Sequence, residues 1–130
     1  MPPKVLIIDD WETDRYLFRQ YLETSAFQYE VFEAKDGESG LRVAEEVNPD
    51  CILLDLNLAQ GQSGYEVLAD LLGLERPPKR TVIVLTGLGK HILEQGALSL
   101  GAAGFLEKSK TDAASLDMAI RQAISNCRGR

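Results

Sequence analysis

KVLIIDDWETDR, residues 4–15, is a stretch in which an apolar run ends on two adjacent carboxylates, Asp9 and Asp10. The run Val5–Ile8 is aliphatic without polar alternation, which predicts a strand buried on both faces. Adjacent side chains of a strand point to opposite faces, so two acids inside a sheet would be costly. They are tolerated where the strand ends. The pair then either begins a loop and caps the next helix, or binds a divalent cation, because hard cations prefer oxygen ligands.

Composition predicts a single globular domain, since the chain has 130 residues, of which 45% are hydrophobic and 26% charged. No apolar run approaches the roughly 20 residues of a membrane helix. The opening MPPK lacks an export signal, so we expect a cytoplasmic protein without membrane contact. A net charge of −6 argues against direct nucleic-acid binding. The cysteines Cys51 and Cys127 fit neither a disulfide framework nor a zinc site, and Cys51 is expected in the core.

Strand and helix patterns alternate along the chain. Apolar runs predict five strands, at Val5–Ile8, Tyr29–Ala34, Cys51–Leu54, Thr81–Leu85 and Gly104–Glu107. Apolar residues at helical spacing predict five helices, at Glu12–Thr24 and around Leu41–Val47, Tyr65–Leu72, Lys90–Leu100 and Leu116–Ile124. A β-α unit repeated five times predicts an α/β fold with a parallel sheet covered on both faces. Ligands of such sheets bind beyond the carboxyl ends of the strands.

Polar residues follow three further strands at that same edge. Asp55 follows the third strand, Thr86 the fourth and Lys108 the fifth. Each has an ordinary explanation when taken alone: Asp55 as a turn residue, Thr86 as a strand former and Lys108 as a surface cation. Their joint occurrence with Asp9 and Asp10 favours one shared site. Three neighbouring carboxylates retain protons unless a cation compensates, and Mg²⁺ suits such oxygen ligands.

The chemistry open to this set is phosphoryl transfer. A carboxylate such as Asp55, held beside a metal, can attack an activated phosphoryl group and form an acyl phosphate. The charge on the phosphoryl oxygens then requires a cation and a hydrogen-bond donor, which Lys108 and Thr86 can supply.

The order and spacing of these residues resemble the receiver domain of two-component response regulators, over residues 4 to about 127. The resemblance implies a flavodoxin-like, doubly wound sheet of five parallel strands in the order 2-1-3-4-5 with five helices. It implies one receiver domain over residues 1–130 with no output domain in the chain. It also implies a signalling phosphoacceptor rather than a turnover enzyme. Asp55 would accept a phosphoryl group from a phosphohistidine on a sensor histidine kinase or a histidine phosphotransfer protein.

The resemblance also assigns metal ligands. Asp10 and Asp55 would bind Mg²⁺ directly, with Asp9 helping and the backbone carbonyl of Asn57 as a further ligand. The run DDWETDR is similar to a receiver subgroup in which Asp-Arg follows the acidic pair.

A switch pair is implied at Thr86 and Phe105. In the family such a pair alters the face formed by the fourth helix, the fifth strand and the fifth helix. This face would contact a downstream protein target or form a homodimer.

Three departures from the family pattern stand out. Ala59 replaces the usual proline in the loop DLNLAQGQSG, which is one residue longer before Gly64. Ser109 follows Lys108 where the family usually has proline. Trp11 is bulky, and is expected either to shield the site or to touch a partner.

Three other functions were weighed against the receiver interpretation. A haloacid-dehalogenase-type phosphatase needs a second acid two residues after its nucleophile, where this chain has Asn57. A flavodoxin-like cofactor binder needs a phosphate loop after the first strand, where Asp9 and Asp10 stand. An unphosphorylated docking module is disfavoured by the complete residue set. We expect the chain to be either a stand-alone receiver or, from its start at Met1, an N-terminal piece of a longer protein.

Overall fold

Strands and helices alternate along the part of the chain that the computed structural model describes, residues 2–57, 63–87 and 91–128, the side chains of 91–93 and 128 excepted. The strands are β1 (Lys4–Ile8), β2 (Glu30–Ala34), β3 (Cys51–Leu54), β4 (Val82–Thr86) and β5 (Gly104–Glu107). The α-helices are α1 (Glu12–Glu23), α2 (Gly37–Val47), α3 (Gly64–Leu72), α4 (His91–Leu100) and α5 (Ala113–Arg128). A 3₁₀ turn, Lys108–Lys110, follows β5. Ala59 lies outside the described residues.

The five strands form one parallel sheet in the order β2-β1-β3-β4-β5, which confirms the predicted topology. From β1 the chain adds β2 on one side and then crosses to add β3, β4 and β5 on the other. The switch point therefore lies between β1 and β3, and ligands of doubly wound sheets bind at such a point. Asp9 and Asp10 follow β1, and Asp55 follows β3, so the three acids lie at that crossover.

Alternate residues of each strand enter two different apolar cores. Leu6 and Ile8 pack in a cluster with residues of α2, α3 and α4, whereas Val5 and Ile7 pack with residues of α1 and α5. Both faces of the sheet are therefore covered by helices, which explains why the strands read as unbroken aliphatic runs. Cys51 is fully buried in the α1–α5 cluster, as predicted.

The predicted strand ends differ from the structure by at most one residue, whereas α2 begins four residues before Leu41 and α5 ends four residues after Ile124. The β4–β5 ladder continues to the pair Thr86–Glu107, so β4 ends on Thr86 itself rather than on Leu85. Helix α1 ends at Glu23, and Thr24 is its C-cap. None of the described helices has the length and apolar character needed to cross a bilayer.

The start of α2 is fixed by a side-chain cap. Asp36 has extended backbone angles, and its carboxylate accepts a hydrogen bond from the Ser39 backbone N–H at 2.8 Å. Hydrogen bonds from the Ser39 hydroxyl and backbone lower the pKa of the Asp36 carboxyl below its ordinary value of 3.8. At the other end, Asn48 adopts a left-handed conformation with φ of 50° and terminates the helix.

We expect Asp36→Ala to lower the free energy of unfolding by about 1 kcal/mol at neutral pH, because an N-terminal N–H of α2 loses its acceptor. Since folding lowers the Asp36 pKa, this stabilisation is present above pH 3.8 and is lost as the pH falls through the lower folded-state value. Urea unfolding at neutral and acidic pH measures both effects. Asp36→Asn is the control, because it keeps an acceptor and removes the titration. If Asp36→Ala lowered the free energy of unfolding equally at both pH values, the predicted pH dependence would be wrong.

Candidate functional site

Three predicted acids come together beyond the carboxyl ends of β1 and β3. Asp9, Asp10 and Asp55 each place a carboxylate oxygen within 4.8 Å of the others. The Asp55 backbone N–H donates to the Ile8 carbonyl at 3.0 Å, which extends the β1–β3 pairing past the strand ends and fixes the two loops side by side. Asp9 and Asp55 are only 2% and 4% exposed. The cluster is therefore built by the sheet rather than by mobile surface chains.

Asp9 and Asp55 each use one carboxylate oxygen to fix their own loop. Asp9 Oδ1 accepts from the Trp11 backbone N–H, and Asp55 Oδ1 accepts from the Asn57 backbone N–H, both at 2.9 Å. These are Asx turns, in which a side chain closes a turn two residues on. The second oxygen of each carboxylate accepts from Lys108 Nζ, at 2.7 Å from Asp9 and 3.0 Å from Asp55. Both carboxylates therefore have a set orientation.

Lys108 joins this cluster from the end of β5, as predicted, although Ser109 replaces the usual proline. Its side chain is 13% exposed, and Nζ also donates to Asp14 Oδ2 at 2.7 Å. Burial alone would lower the pKa of the Lys108 ammonium, but the hydrogen bonds to Asp14 and Asp9 and the charge of Asp55 raise it above its ordinary value of 10.5. The site therefore contains a permanent cation at neutral pH.

Negative charge remains in excess despite this cation, because three clustered carboxylates face one ammonium. Burial raises the pKa of Asp9 above its ordinary value of 3.8, and the charge of Asp55 adds to the shift, while bonds from Lys108 and Trp11 oppose it. A further positive charge would relieve this cost. All three side chains offer hard oxygen donors, so the donor set fits a Mg²⁺-like ion.

Two neighbouring residues on α1 complete the site and were missed by the sequence reasoning. Asp14 binds Lys108, while Arg15 Nη1 donates to the Asp9 carbonyl oxygen at 2.7 Å. Arg15 Nε also donates to Glu33 Oε1 on β2 at 3.1 Å, so α1 is tied to two strands. The available signal was the Asp-Arg pair itself, because the run DDWETDR marks both positions as a subgroup pattern without assigning them a contact.

The predicted switch residues lie on adjacent strands. Thr86 is fully buried as the last residue of β4. Phe105 on β5 is half-buried and packs against the cluster on the α2–α3–α4 side. Phe105 therefore already contacts the core in this conformation. The switch roles of Thr86 and Phe105 stay predictions.

The loop after Asp55 is set by close packing against α3. A Cβ at Gly64 would lie 2.0 Å from the Leu56 carbonyl oxygen, so the first residue of α3 has to be glycine. Asn57 is exposed, and its backbone N–H donates to Asp55, while its carbonyl as a metal ligand stays a prediction. Trp11 is 63% exposed, so the expectation that it shields the acids is not supported.

The chain is similar to proteins of a known family. The family model described as "Response regulator receiver domain" matches residues 5–121. The virulence-factor transcription regulator BvgA of Bordetella pertussis is 37% identical over 105 residues, which are 81% of this chain and 48% of that protein.

Solved receiver structures have the same fold. The signal receiver domain of a modulated diguanylate cyclase from Desulfovibrio desulfuricans is 28% identical, with a TM-score of 0.82 over 97% of this chain and 96% of that one. The Mn²⁺-bound form of response regulator Rcp1 is 27% identical, with a TM-score of 0.74 over 92% of this chain and 91% of that one.

The comparison with BvgA limits one prediction. The chain spans about half the length of the curated relatives it matches, and BvgA is named as a transcription regulator. The expectation of no direct nucleic-acid partner rested on the acidic charge of these 130 residues. It is therefore too broad, because that charge says nothing of a longer protein.

Proposed function

The chain belongs to the response regulator receiver domain family, and from this premise we propose that Asp55 accepts a phosphoryl group from a phosphohistidine. The observation that carries the proposal is the setting of the Asp55 carboxylate. It is buried at the end of β3, fixed by the Asn57 N–H, contacted by Lys108 Nζ and adjacent to the two acids after β1. A small phosphodonor such as phosphoramidate, supplied with Mg²⁺, tests it by a gain of one phosphoryl mass.

The transfer step forms one bond and breaks one. A carboxylate oxygen of Asp55 bonds to phosphorus as the phosphorus–nitrogen bond of the phosphohistidine breaks, and the bonding electrons leave with the imidazole nitrogen. The attacking lone pair belongs to a carboxylate, so the acceptor side requires no general base.

Lys108 is positioned to compensate the charge of the incoming group. Its longest hydrogen bond, 3.0 Å to Asp55 Oδ2, is the one that would be exchanged for a phosphoryl oxygen. The shorter bonds to Asp9 and Asp14 would keep the ammonium in place. Lys108 therefore contributes a cation that does not have to be recruited when the donor arrives.

Asp9, Asp10 and Asp55 would hold Mg²⁺, with the Asn57 carbonyl as a further ligand. The bound ion would supply positive charge to the phosphoryl oxygens. The oxygen-only donor set supports this assignment, as does the Mn²⁺-bound form of the similar regulator Rcp1.

The output we propose is a population shift of the face formed by α4, β5 and α5. The Thr86 hydroxyl would donate to a phosphoryl oxygen and draw the tip of β4 toward the site. Phe105 would then move deeper into the core. A face changed in this way would contact a downstream protein target or a second copy of the chain, in a cytoplasmic setting.

We expect Thr86→Ala to uncouple the switch from the site. A fluoride-based phosphoryl mimic with Mg²⁺ should shift NMR signals from Thr86 through Phe105 to α4 in the parent protein. In Thr86→Ala the distal shifts should be largely lost, because no hydroxyl remains to bind the mimic. Thr86→Ser keeps the hydroxyl and is the matched control. Distal shifts that persist in Thr86→Ala would contradict this mechanism.

A further inference from the structure

Lys108 has three ammonium N–H donors, and each has a carboxylate partner. The distances from Nζ are 2.7 Å to Asp9, 2.7 Å to Asp14 and 3.0 Å to Asp55. Asp9 and Asp55 follow strands of the sheet, whereas Asp14 lies on the first turn of α1. The ammonium is therefore bound from three separate elements.

We propose that Asp14 is a positioning residue that, together with Asp9, holds the Lys108 ammonium so that its third N–H points at the acceptor carboxylate. This inference rests on the proposed function of Asp55 as phosphoryl acceptor. The two short bonds anchor the ammonium, and the longer bond to Asp55 is the exchangeable one.

Lys108 needs such an anchor because a lysine side chain is a flexible four-carbon stem that ends in a compact charge. The two residues that follow it, Ser109 and Lys110, are exposed, so the 3₁₀ turn itself offers little packing. Fixing the ammonium in advance avoids ordering it during the reaction. The anchor must then come from the carboxylates.

Asp14 is itself held in place by its neighbour on α1. Arg15 is bonded to the Asp9 carbonyl and to Glu33, so the first turn of the helix is tied to the β1 loop and to β2. Asp14 therefore presents its carboxylate from a fixed position. An ordinary surface ion pair would only add slightly to stability, since the Asp14 side chain is 34% exposed.

The variant Asp14→Asn tests this role, because it removes the charge and keeps the size. We expect the phosphorylation rate with phosphoramidate and Mg²⁺ to fall about fivefold. This is the upper end of the effect expected when a partly exposed charge pair is lost. Glu12→Gln is the matched control, since Glu12 is exposed on the first turn of the same helix and loses the same charge. It should phosphorylate at the parent rate. Asp14→Glu should restore part of the lost rate.

A double-mutant cycle shows whether Asp14 acts through Lys108. In a Lys108→Ala background, Asp14→Asn should cause no further loss. An equal loss in both backgrounds, an unchanged rate in Asp14→Asn, or a faster one would each overturn the proposal. A faster rate would mean that Asp14 withholds the ammonium from the acceptor.

A second readout does not depend on phosphorylation. NMR relaxation of the Lys108 side-chain methylenes should report an ordered chain in the parent and greater motion in Asp14→Asn. Unchanged order would overturn the anchoring role. If the parent gained no phosphoryl group while Asp14→Asn mobilised Lys108, the proposed acceptor function would fail and the anchor would stand.

Discussion

Asp55→Asn should gain no phosphoryl mass under conditions that fully modify the parent protein. An amide lacks the carboxylate nucleophile from which an acyl phosphate forms, so the loss is complete rather than partial. The fold should survive, because the amide oxygen can still accept the Asn57 N–H, and Lys108 keeps its bonds to Asp9 and Asp14. Intact-mass spectrometry measures the effect, and circular dichroism checks the fold.

Asp70→Asn is the control for this prediction, since it removes an exposed carboxylate of α3. It should gain one phosphoryl group as the parent does. Phosphoryl uptake retained in Asp55→Asn would show that another residue is the acceptor.

Asp10→Ala should weaken Mg²⁺ binding by more than the roughly 10- to 100-fold that loss of an outer-shell partner costs, because it removes a direct oxygen ligand. Asp9→Asn should weaken it less. The reason lies in the distances from Lys108: its bond to Asp9 is short, 2.7 Å, whereas its bond to Asp55 is longer, 3.0 Å, so Asp9 is the more firmly engaged by the ammonium.

Trp11 offers the measurement for this comparison, because its backbone N–H is bonded to Asp9 and its indole belongs to the same loop. Fluorescence titration with Mg²⁺ gives the affinity of each variant. Equal affinities in the parent and in Asp10→Ala would refute the metal assignment. A larger loss in Asp9→Asn than in Asp10→Ala would reverse the assigned roles of the two acids.

Most of the architecture could be predicted because it depends on local pattern. Unalternating aliphatic runs such as Val5–Ile8 arise where helices cover both faces, and the order of strands and helices then leaves few parallel topologies. Asp55 and Lys108 could be placed at one edge because strand ends converge there. The one-residue shift of β4 could not be predicted, since it depends on the pairing of Thr86 with Glu107.

The contacts of α1 were harder to infer because they depend on how the helix docks. Asp14 and Lys108 are 94 residues apart in sequence, and their 2.7 Å bond requires a particular orientation of the first turn. Arg15 donates to a backbone carbonyl, and no pattern of residue types in the sequence predicts a contact of that kind. The exposure of Trp11 likewise follows from the rotation of the helix start rather than from residue type.

The most direct test is to locate the phosphoryl group on the chain. The parent protein would be treated with phosphoramidate and Mg²⁺, digested, and mapped by peptide mass spectrometry, with hydroxylamine used to cleave acyl phosphates. We expect one phosphoryl group, on the peptide that contains Asp55, removed by hydroxylamine. A phosphoryl group on any other residue, such as His91, the single histidine of the chain, or no uptake at all, would contradict the assignment of Asp55 as the acceptor.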